Sequence, residues 1–186
     1  MEGKENLPEK GPVIVCANHN DYLDSPIILF SLGKDIWGIA GSNYRYNPMV
    51  FLYRMLGRVI FIRRGESDRV AIKKALEVLK KGYYLGMAPE GTRSKTGKLA
   101  RGKPGPAYLA GLTDAWIVPV GIIGSKGAFK NIFRKRTKIK VIIGKPFKLS
   151  KVDDPNPGKK WQYLTDTRIM PAIAELLPTD MRGVYE

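Results

Sequence analysis

The chain contains a single histidine, and a carboxylate stands five positions after it, in Asn18-His19-Asn20-Asp21-Tyr22-Leu23-Asp24. An imidazole paired with a carboxylate is the usual device for taking a proton from a hydroxyl near neutral pH. The carboxylate fixes the tautomer and supports the imidazolium as it forms. A plainer arrangement fits the same spacing: His19 as a hydrogen-bonded corner residue and Asp24 as a helix N-cap. Two more polar clusters follow, Arg63-Arg64 and Glu90-Gly91-Thr92-Arg93. A base, a pair of guanidinium forks and a Gly-Thr-Arg loop suit a phosphate-bearing substrate whose hydroxyl is to be deprotonated. The chain has no P-loop pattern, no GxSxG elbow and no obvious covalent nucleophile, which favours direct transfer over a covalent intermediate. Cys16 and His19 would face opposite sides of a regular strand, so the thiol reads as a small packing residue.

All three clusters fall where strand patterns end. Val13-Ile14-Val15-Cys16-Ala17 is an apolar run typical of a buried strand. Pro26, just after Asp24, suits the first turn of a helix. Further strands are expected over 35–40, 59–62, 83–88, 115–120 and 139–143, with Pro119 predicting an edge or a bulge. A helix over 49–56, with Asn47 as cap and Pro48 at its start, is apolar nearly all round and reads as buried or as a pocket wall. Ser67 is placed as the cap of a helix to Lys81, with Ile72, Leu76 and Leu79 inward and the lysines outward. A short helix covers 107–112, and a last helix runs from 160 to 177 with a kink at Pro171. Strands alternating with helices make this an α/β chain, with a central mostly parallel or mixed sheet of about six to seven strands flanked by helices. Nothing marks a boundary within residues 1–186, so one domain is expected. In such a sheet the carboxyl ends of strands converge on one crevice.

The formal net charge of +15 calls for an anionic partner: nucleic acid, a membrane surface or a phosphorylated substrate. No nucleic-acid-binding pattern accompanies the charge, so a basic nucleic-acid-binding domain is the remote alternative. One Cys excludes an internal disulfide, and nothing demands secretion. One Cys and one His argue against a structural zinc site, and no metal is expected. No apolar run reaches the roughly 18 residues of a membrane span, and the start of the chain lacks a signal-peptide core. Between Ala115 and Val152 there is no Asp or Glu, while Phe129, Ile132 and Phe133 are interleaved with Lys126, Lys130, Arg134, Lys135 and Arg136. That mixture predicts that residues 126–140 lie against an anionic membrane. A solvated basic strand and loop is the plainer alternative.

Four stretches together resemble a known family. Asn18-His19 with Asp24, Phe61-Ile62-x-Arg64, Pro89-Glu90-Gly91-Thr92-Arg93-Ser94 and Val118-Pro119-Val120 are similar to motifs I to IV of the glycerolipid acyltransferases, in order and at family spacing. The likeness is to the PlsC-type 1-acylglycerol-3-phosphate acyltransferases and covers nearly the whole chain. It implies a glycerol-3-phosphate acyltransferase-like fold. It implies transfer of a fatty acyl group from an acyl-CoA or acyl carrier protein thioester to lysophosphatidic acid, giving phosphatidic acid, with no cofactor. Another lysophospholipid or glycerol 3-phosphate as acceptor is the alternative. By this resemblance His19 is the general base and Asp24 its partner. Arg64 and Arg93 bind the acceptor phosphate, Gly91 and Thr92 shape that pocket, and Lys103 joins them. Arg63 is either a further phosphate ligand or a solvated charge. Glu90 either shapes the pocket or holds the loop by accepting backbone N–H groups. Two departures stand out: Asp21 where the family usually has Ser or Thr, and Arg63 where it often has Asp. The family often carries an N-terminal hydrophobic helix, whereas motif I here begins at residue 18, as in a short member or a trimmed form. The resemblance implies peripheral or monotopic attachment at the cytoplasmic face of a membrane.

Overall fold

The computed structural model describes residues 1–33, 35–63, 68–131, 138–149 and 156–186. The described strands are β1 (Val13–Ala17), β2 (Ile36–Gly41), β3 (Val59–Ile62), β4 (Tyr84–Met87), β5 (Trp116–Ile123) and β6 (Lys140–Ile143). They form one sheet in the order β3-β2-β4-β1-β5-β6. All neighbours are parallel except β5 and β6, which are antiparallel. The central strand β1 is buried at all five positions. A parallel strand covered on both faces must be apolar throughout, which is why it reads as an unbroken hydrophobic run.

Chain order decides which face each helix covers. From β1 through β2 to β3 the chain moves one way across the sheet; from β3 through β4 to β5 it returns. Right-handed crossovers then require the first pair of helices on one face and the second pair on the other. Helix α1 (Asp24–Leu32) accordingly packs Ile28, Leu29 and Leu32 against Val13, Val15 and Val118. Val50 of α2 (Pro48–Met55) joins the same layer. On the opposite face, α3 (Arg69–Lys80) and α4 (Gly105–Thr113) pack Ala75, Leu79, Leu109 and Ala110 against Ile14, Leu85 and Ile117. Connections leave β1 and its neighbour β4 in opposite directions, and between such strands a crevice opens at the carboxyl edge.

Several local expectations change. Asp68 caps α3, its side chain accepting from the Ala71 amide at 3.0 Å; Ser67 lies outside the described residues. Asp is as good a cap as Ser, and spacing alone did not separate them. β5 is an interior strand, so Pro119 does not mark an edge. It marks a bulge instead. Val120 pairs with Ile143 and Ile117 bridges Phe147, so residues 118 and 119 face three residues, 144–146. Helix α2 is neither wholly buried nor only a wall: Phe51, Met55 and the following Leu56 are exposed. The last helix starts earlier than expected. α6 (Pro157–Leu164) is capped by Asn156 and continues through a π-helical turn, Thr165–Ile169, into α7 (Met170–Ala174). Pro171 cannot donate to the preceding turn and its ring crowds the carbonyl four residues back; the widened turn just before it accommodates both. A short α8 (Thr179–Arg182) and a 3-10 turn, Gly183–Tyr185, end the chain. No described helix is long and apolar enough to cross a membrane.

Candidate functional site

The loop leaving β1 folds around one carboxylate. Asp24 opens α1 but does not cap it; its side chain turns back upstream. Oδ2 accepts from the backbone amides of Asn20 at 2.6 Å and Asp21 at 2.7 Å and lies 3.0 Å from His19 Nδ1. An ionised carboxylate only accepts, so Nδ1 carries the hydrogen and Nε2 is left as the basic nitrogen. Asp24 is only 2% exposed and His19 21%, so the partner is sealed while the imidazole keeps an open edge. Asn18 pins the loop from the other side. Its Nδ2 donates to the Ile122 carbonyl at 2.9 Å, and the Ile122 amide donates to its Oδ1 at 2.7 Å. Asp21 Oδ1 accepts from the Leu23 amide and from the Phe129 amide at 3.3 Å, tying the loop to α5 (Ala128–Asn131).

The loop leaving β4 is joined to the first. The Ser94 amide donates to the His19 carbonyl at 2.7 Å. Glu90, nearly fully buried, accepts from the His19 amide through Oε1 at 3.2 Å and from the Ala100 amide through Oε2 at 2.9 Å. Burial pushes its carboxyl above the usual glutamate value, and the two amides only partly offset this. The turn at Gly91 has φ +70, where a side chain is strained. A Cβ there would also lie 3.0 Å from Lys103 Cε and 3.1 Å from its Nζ. Glycine thus lets the lysine lie across the turn.

These groups open on one cavity of about 340 Å³, which touches the carboxyl ends of β1, β2, β3 and β4. His19, Asp24, Arg63, Gly91, Arg93 and Lys103 all line it. Arg93 donates to the Tyr22 hydroxyl at 2.9 Å and the Tyr44 hydroxyl at 3.4 Å, with its guanidinium carbon 3.6 Å from the centre of the Tyr22 ring. Phe129 packs edge-on against Tyr22, ring centres 5.8 Å apart. Arg63 is exposed at the rim, and its amide donates to Asp68. Thr92 is exposed and lies outside the cavity lining; Glu90 lies behind it, holding backbone. Arg64 lies outside the described residues, as do Ile132, Phe133, Arg134, Lys135 and Arg136 of the basic segment.

The far part of the cavity is apolar. Gly38 and Gly86 pair directly across β2 and β4, between Val59 of β3 and Val15 of β1 on the same face. No side chain rises from either glycine, and both line the cavity together with Ile28 of α1 and Val50 of α2, while the Ile36 side chain lies 3.3 Å from where a Cβ on Gly86 would stand. The site therefore joins an imidazole–carboxylate pair and cationic groups to apolar lining from β2, β3, α1 and α2. Cys16 is fully buried, and burial pushes its thiol up, as expected of a packing residue. Among the described residues, no three His, Cys, Asp or Glu side chains gather closely enough to hold a metal ion.

Some contributors were not identified from the sequence. Asn18 offers a weak signal, a polar residue ending an all-apolar strand. Tyr22 and Tyr44 offer none, because they meet Arg93 only across the fold.

The sequence matches the Acyltransferase family over residues 1–123. It is 34% identical over 164 residues to the chloroplastic 1-acyl-sn-glycerol-3-phosphate acyltransferase of Arabidopsis thaliana, covering 82% of this chain and 44% of that protein. With the 1-acyl-sn-glycerol-3-phosphate acyltransferase of Borreliella burgdorferi it shares 32% identity over 135 residues, 71% of this chain and 54% of the relative. The chain thus spans about half the length of these curated relatives. The crystal structure of the 1-acyl-sn-glycerophosphate acyltransferase PlsC from Thermotoga maritima superposes with a TM-score of 0.68 at 28% identity, covering 94% of this chain and 70% of that one. With motif, site and sheet in agreement, the chain belongs to the acyltransferase family.

Proposed function

We propose that this chain transfers a fatty acyl group from an acyl-CoA or acyl carrier protein thioester to the free hydroxyl of lysophosphatidic acid. The observation that carries the reading is the His19–Asp24 pair at 3.0 Å, opening on the same cavity as Arg93 and Lys103. Asp24 holds the Nδ1 hydrogen, and Nε2 takes the proton of the acceptor hydroxyl. The oxygen attacks the thioester carbonyl; a C–O bond forms, the C–S bond breaks, and the imidazolium returns its proton to the leaving thiolate. The thioester is a substrate, and the step draws on no cofactor.

Arg93 and Lys103 bind the acceptor phosphate, assisted by Arg63 at the rim and by Arg64. Gly91 and Thr92 shape that end through the course of the loop. The hydrocarbon chain lies in the recess floored by Gly38 and Gly86. Relatives with this name support the acceptor assignment, and the recess favours a lipid over glycerol 3-phosphate. Mass spectrometry of products from a panel of thioesters and acceptors tests the reading. Phosphatidic acid is the expected product. Acylation of glycerol 3-phosphate alone, or of no acceptor, overturns it.

The same reading places the chain peripherally on an anionic, cytoplasm-facing membrane, where its acceptor resides. Residues 126–140 supply the charge, each Lys or Arg adding on the order of 1 kcal/mol. Phe129, exposed and packed edge-on against the cavity-lining Tyr22, sets the described start of this segment beside the site. Exposed Phe51 and Met55 lie one turn apart on α2, which also walls the cavity through Val50. Liposome flotation should rise with anionic lipid and fall with salt. Binding that ignored both variables, or survived Lys/Arg→Glu changes at 130, 134, 135 and 136, would remove these residues from the attachment.

A further inference from the structure

Lys103 is positioned by a part of the chain far from it in sequence. The residue before it, Gly102, has both backbone groups held by side chains from the C-terminal helices. Its amide donates to the Tyr185 hydroxyl at 3.2 Å, and its carbonyl accepts from Gln162 Nε2 at 2.8 Å. Asp166 organises both. Its Oδ1 accepts from Gln162 at 3.0 Å and from the Tyr185 hydroxyl at 3.3 Å. Its Oδ2 accepts from Arg101 Nε at 3.1 Å and Nη2 at 2.7 Å. Burial pushes the Asp166 carboxyl up, but Arg101 and Gln162 outweigh that and hold it below the usual carboxylate range.

The fit at Gly102 is close. A Cβ there would stand 2.7 Å from Met170 Cγ and 2.7 Å from Thr165 Cγ2, so only glycine lies against the π-helical turn. Asp166 belongs to that turn, and Gln162 stands four residues before it, where the two side chains meet. Further back, the Leu99 amide donates to the Met181 carbonyl at 2.8 Å. On the site side, the Lys103 amide donates to the Pro89 carbonyl at 2.8 Å and its side chain lies across Gly91. Loop 99–103 is therefore held at both sides: by the turn that carries Glu90 and by a segment beyond the stretch matching the family.

We infer that Gln162, Asp166 and Tyr185 form a clamp that presents Lys103 to the phosphate of the acceptor, so the C-terminal helices set acceptor affinity without touching the substrate. This rests on the reading of Lys103 as a phosphate ligand. Gln162, Asp166 and Tyr185 are positioning residues. Their loss leaves His19 and Asp24 in place and lets the lysine wander.

The test uses the full chain with Tyr185→Phe, Lys103→Ala and the double variant. Tyr185 is partly exposed near the chain end, so its hydroxyl can be removed without opening the core. Losing the hydroxyl removes its bond from the Gly102 amide and its bond to Asp166, and should raise KM for lysophosphatidic acid about fivefold, with kcat and the thioester KM unchanged. Asp166→Ala should act in the same direction and more strongly, and Asp166→Asn, which still accepts from Gln162 and Tyr185, less. In the Lys103→Ala background, Tyr185→Phe should add nothing, because coupled residues do not act additively. A Tyr185→Phe effect that persists there, or that falls equally on kcat and both KM values, overturns the clamp. Amide hydrogen exchange reads the clamp apart from activity: Tyr185→Phe should speed exchange across 99–103 and leave α3 and β4 unchanged. Unchanged exchange at 102 and 103 also overturns it. Faster exchange with no Lys103→Ala effect on acceptor KM would instead remove the phosphate role of Lys103, and the inference with it.

Discussion

The loops that follow β1 and β4 lie side by side, joined at Glu90 and Ser94, yet they are held by opposite means. The β1 loop is held mostly from within: one oxygen of Asp24 gathers two amides and the His19 ring, all within five residues. The β4 loop borrows its order from elsewhere: Gly102 from Gln162 and Tyr185, Leu99 from Met181. The first arrangement fixes the imidazole against its carboxylate, the kind of placement proton transfer needs, since a shift of about 1 Å can cost about 100-fold in rate. The second spans a longer stretch of chain and carries cations, and attraction between a cation and the proposed phosphate would tolerate more play. A locally closed loop should fail chemically when altered, and a borrowed one should fail in binding.

The largest effect tests the local loop. His19→Ala should lower the acyl-transfer rate by at least about 100-fold with the fold intact, since a general base contributes that much or more. Asp24→Asn should also be severe, because the amide keeps the shape but loses the charge that supports the imidazolium. Initial rates with circular dichroism as a fold control check both. More than a tenth of the parental rate in His19→Ala would end the comparison, because the β1 loop would then hold no base.

Next comes the joint between the loops. Glu90→Ala strands the amides of His19 and Ala100. Unpaired donors of this kind cost about 1–3 kcal/mol each, so urea unfolding should show a loss of about 2–6 kcal/mol. Thr92→Ala, two residues on and exposed, should change stability by less than about 0.5 kcal/mol. Equal costs at the two positions would mean that Glu90 does not join the loops.

The contrast in means explains what was legible in the sequence. His19 and Asp24 are five residues apart, so chemistry and spacing suggest the pair, and the four-motif resemblance favours it over the helix-cap alternative. The sheet was legible too, since Val13–Ala17 and its parallel neighbours are apolar runs at strand length. Asn18 and Ile122 are 104 residues apart, and Gly102 and Tyr185 are 83 apart; no local pattern announces either contact. Pro119 showed that something interrupts a ladder but not that the extra residue lies in the opposing chain. Helix α2 was apolar enough to suggest burial, and only the packing reveals which of its residues stay outside.

A smaller effect is expected at the cationic end. Arg93→Ala should raise acceptor KM by about tenfold, the scale of a hydrogen bond to a charged group, and leave thioester KM nearly unchanged. Arg93→Lys should recover only part of this, because an ammonium lacks the flat guanidinium that lies against the Tyr22 ring and offers further N–H donors to a phosphate. An equal loss on a phosphate-free acceptor would move Arg93 from binding to chemistry. Smaller again is Gly91→Ala, at about 1 kcal/mol of stability for a side chain at positive φ. It should also raise acceptor KM, because the new methyl meets Lys103. Stability lost without any change in KM would separate the turn from the lysine.

The smallest effect concerns the charge on Glu90, whose carboxylate accepts amides from both loops. Burial raises its folded pKa above the ordinary value of 4.5, so the folded state binds this proton at a higher pH than the unfolded chain does. The folded state therefore gains from Glu90 as pH falls. That contribution is complete below the ordinary value and is lost as pH rises through the folded one. Glu90→Gln cannot titrate and lacks this limb. Urea midpoints of both proteins, measured stepwise from pH 7 to 4, should show the parent gaining on the variant as pH falls. A gain in the opposite direction would mean that the two amides outweigh burial. The joint would then be held by a carboxylate that prefers its charge, through amides that reach it from both loops.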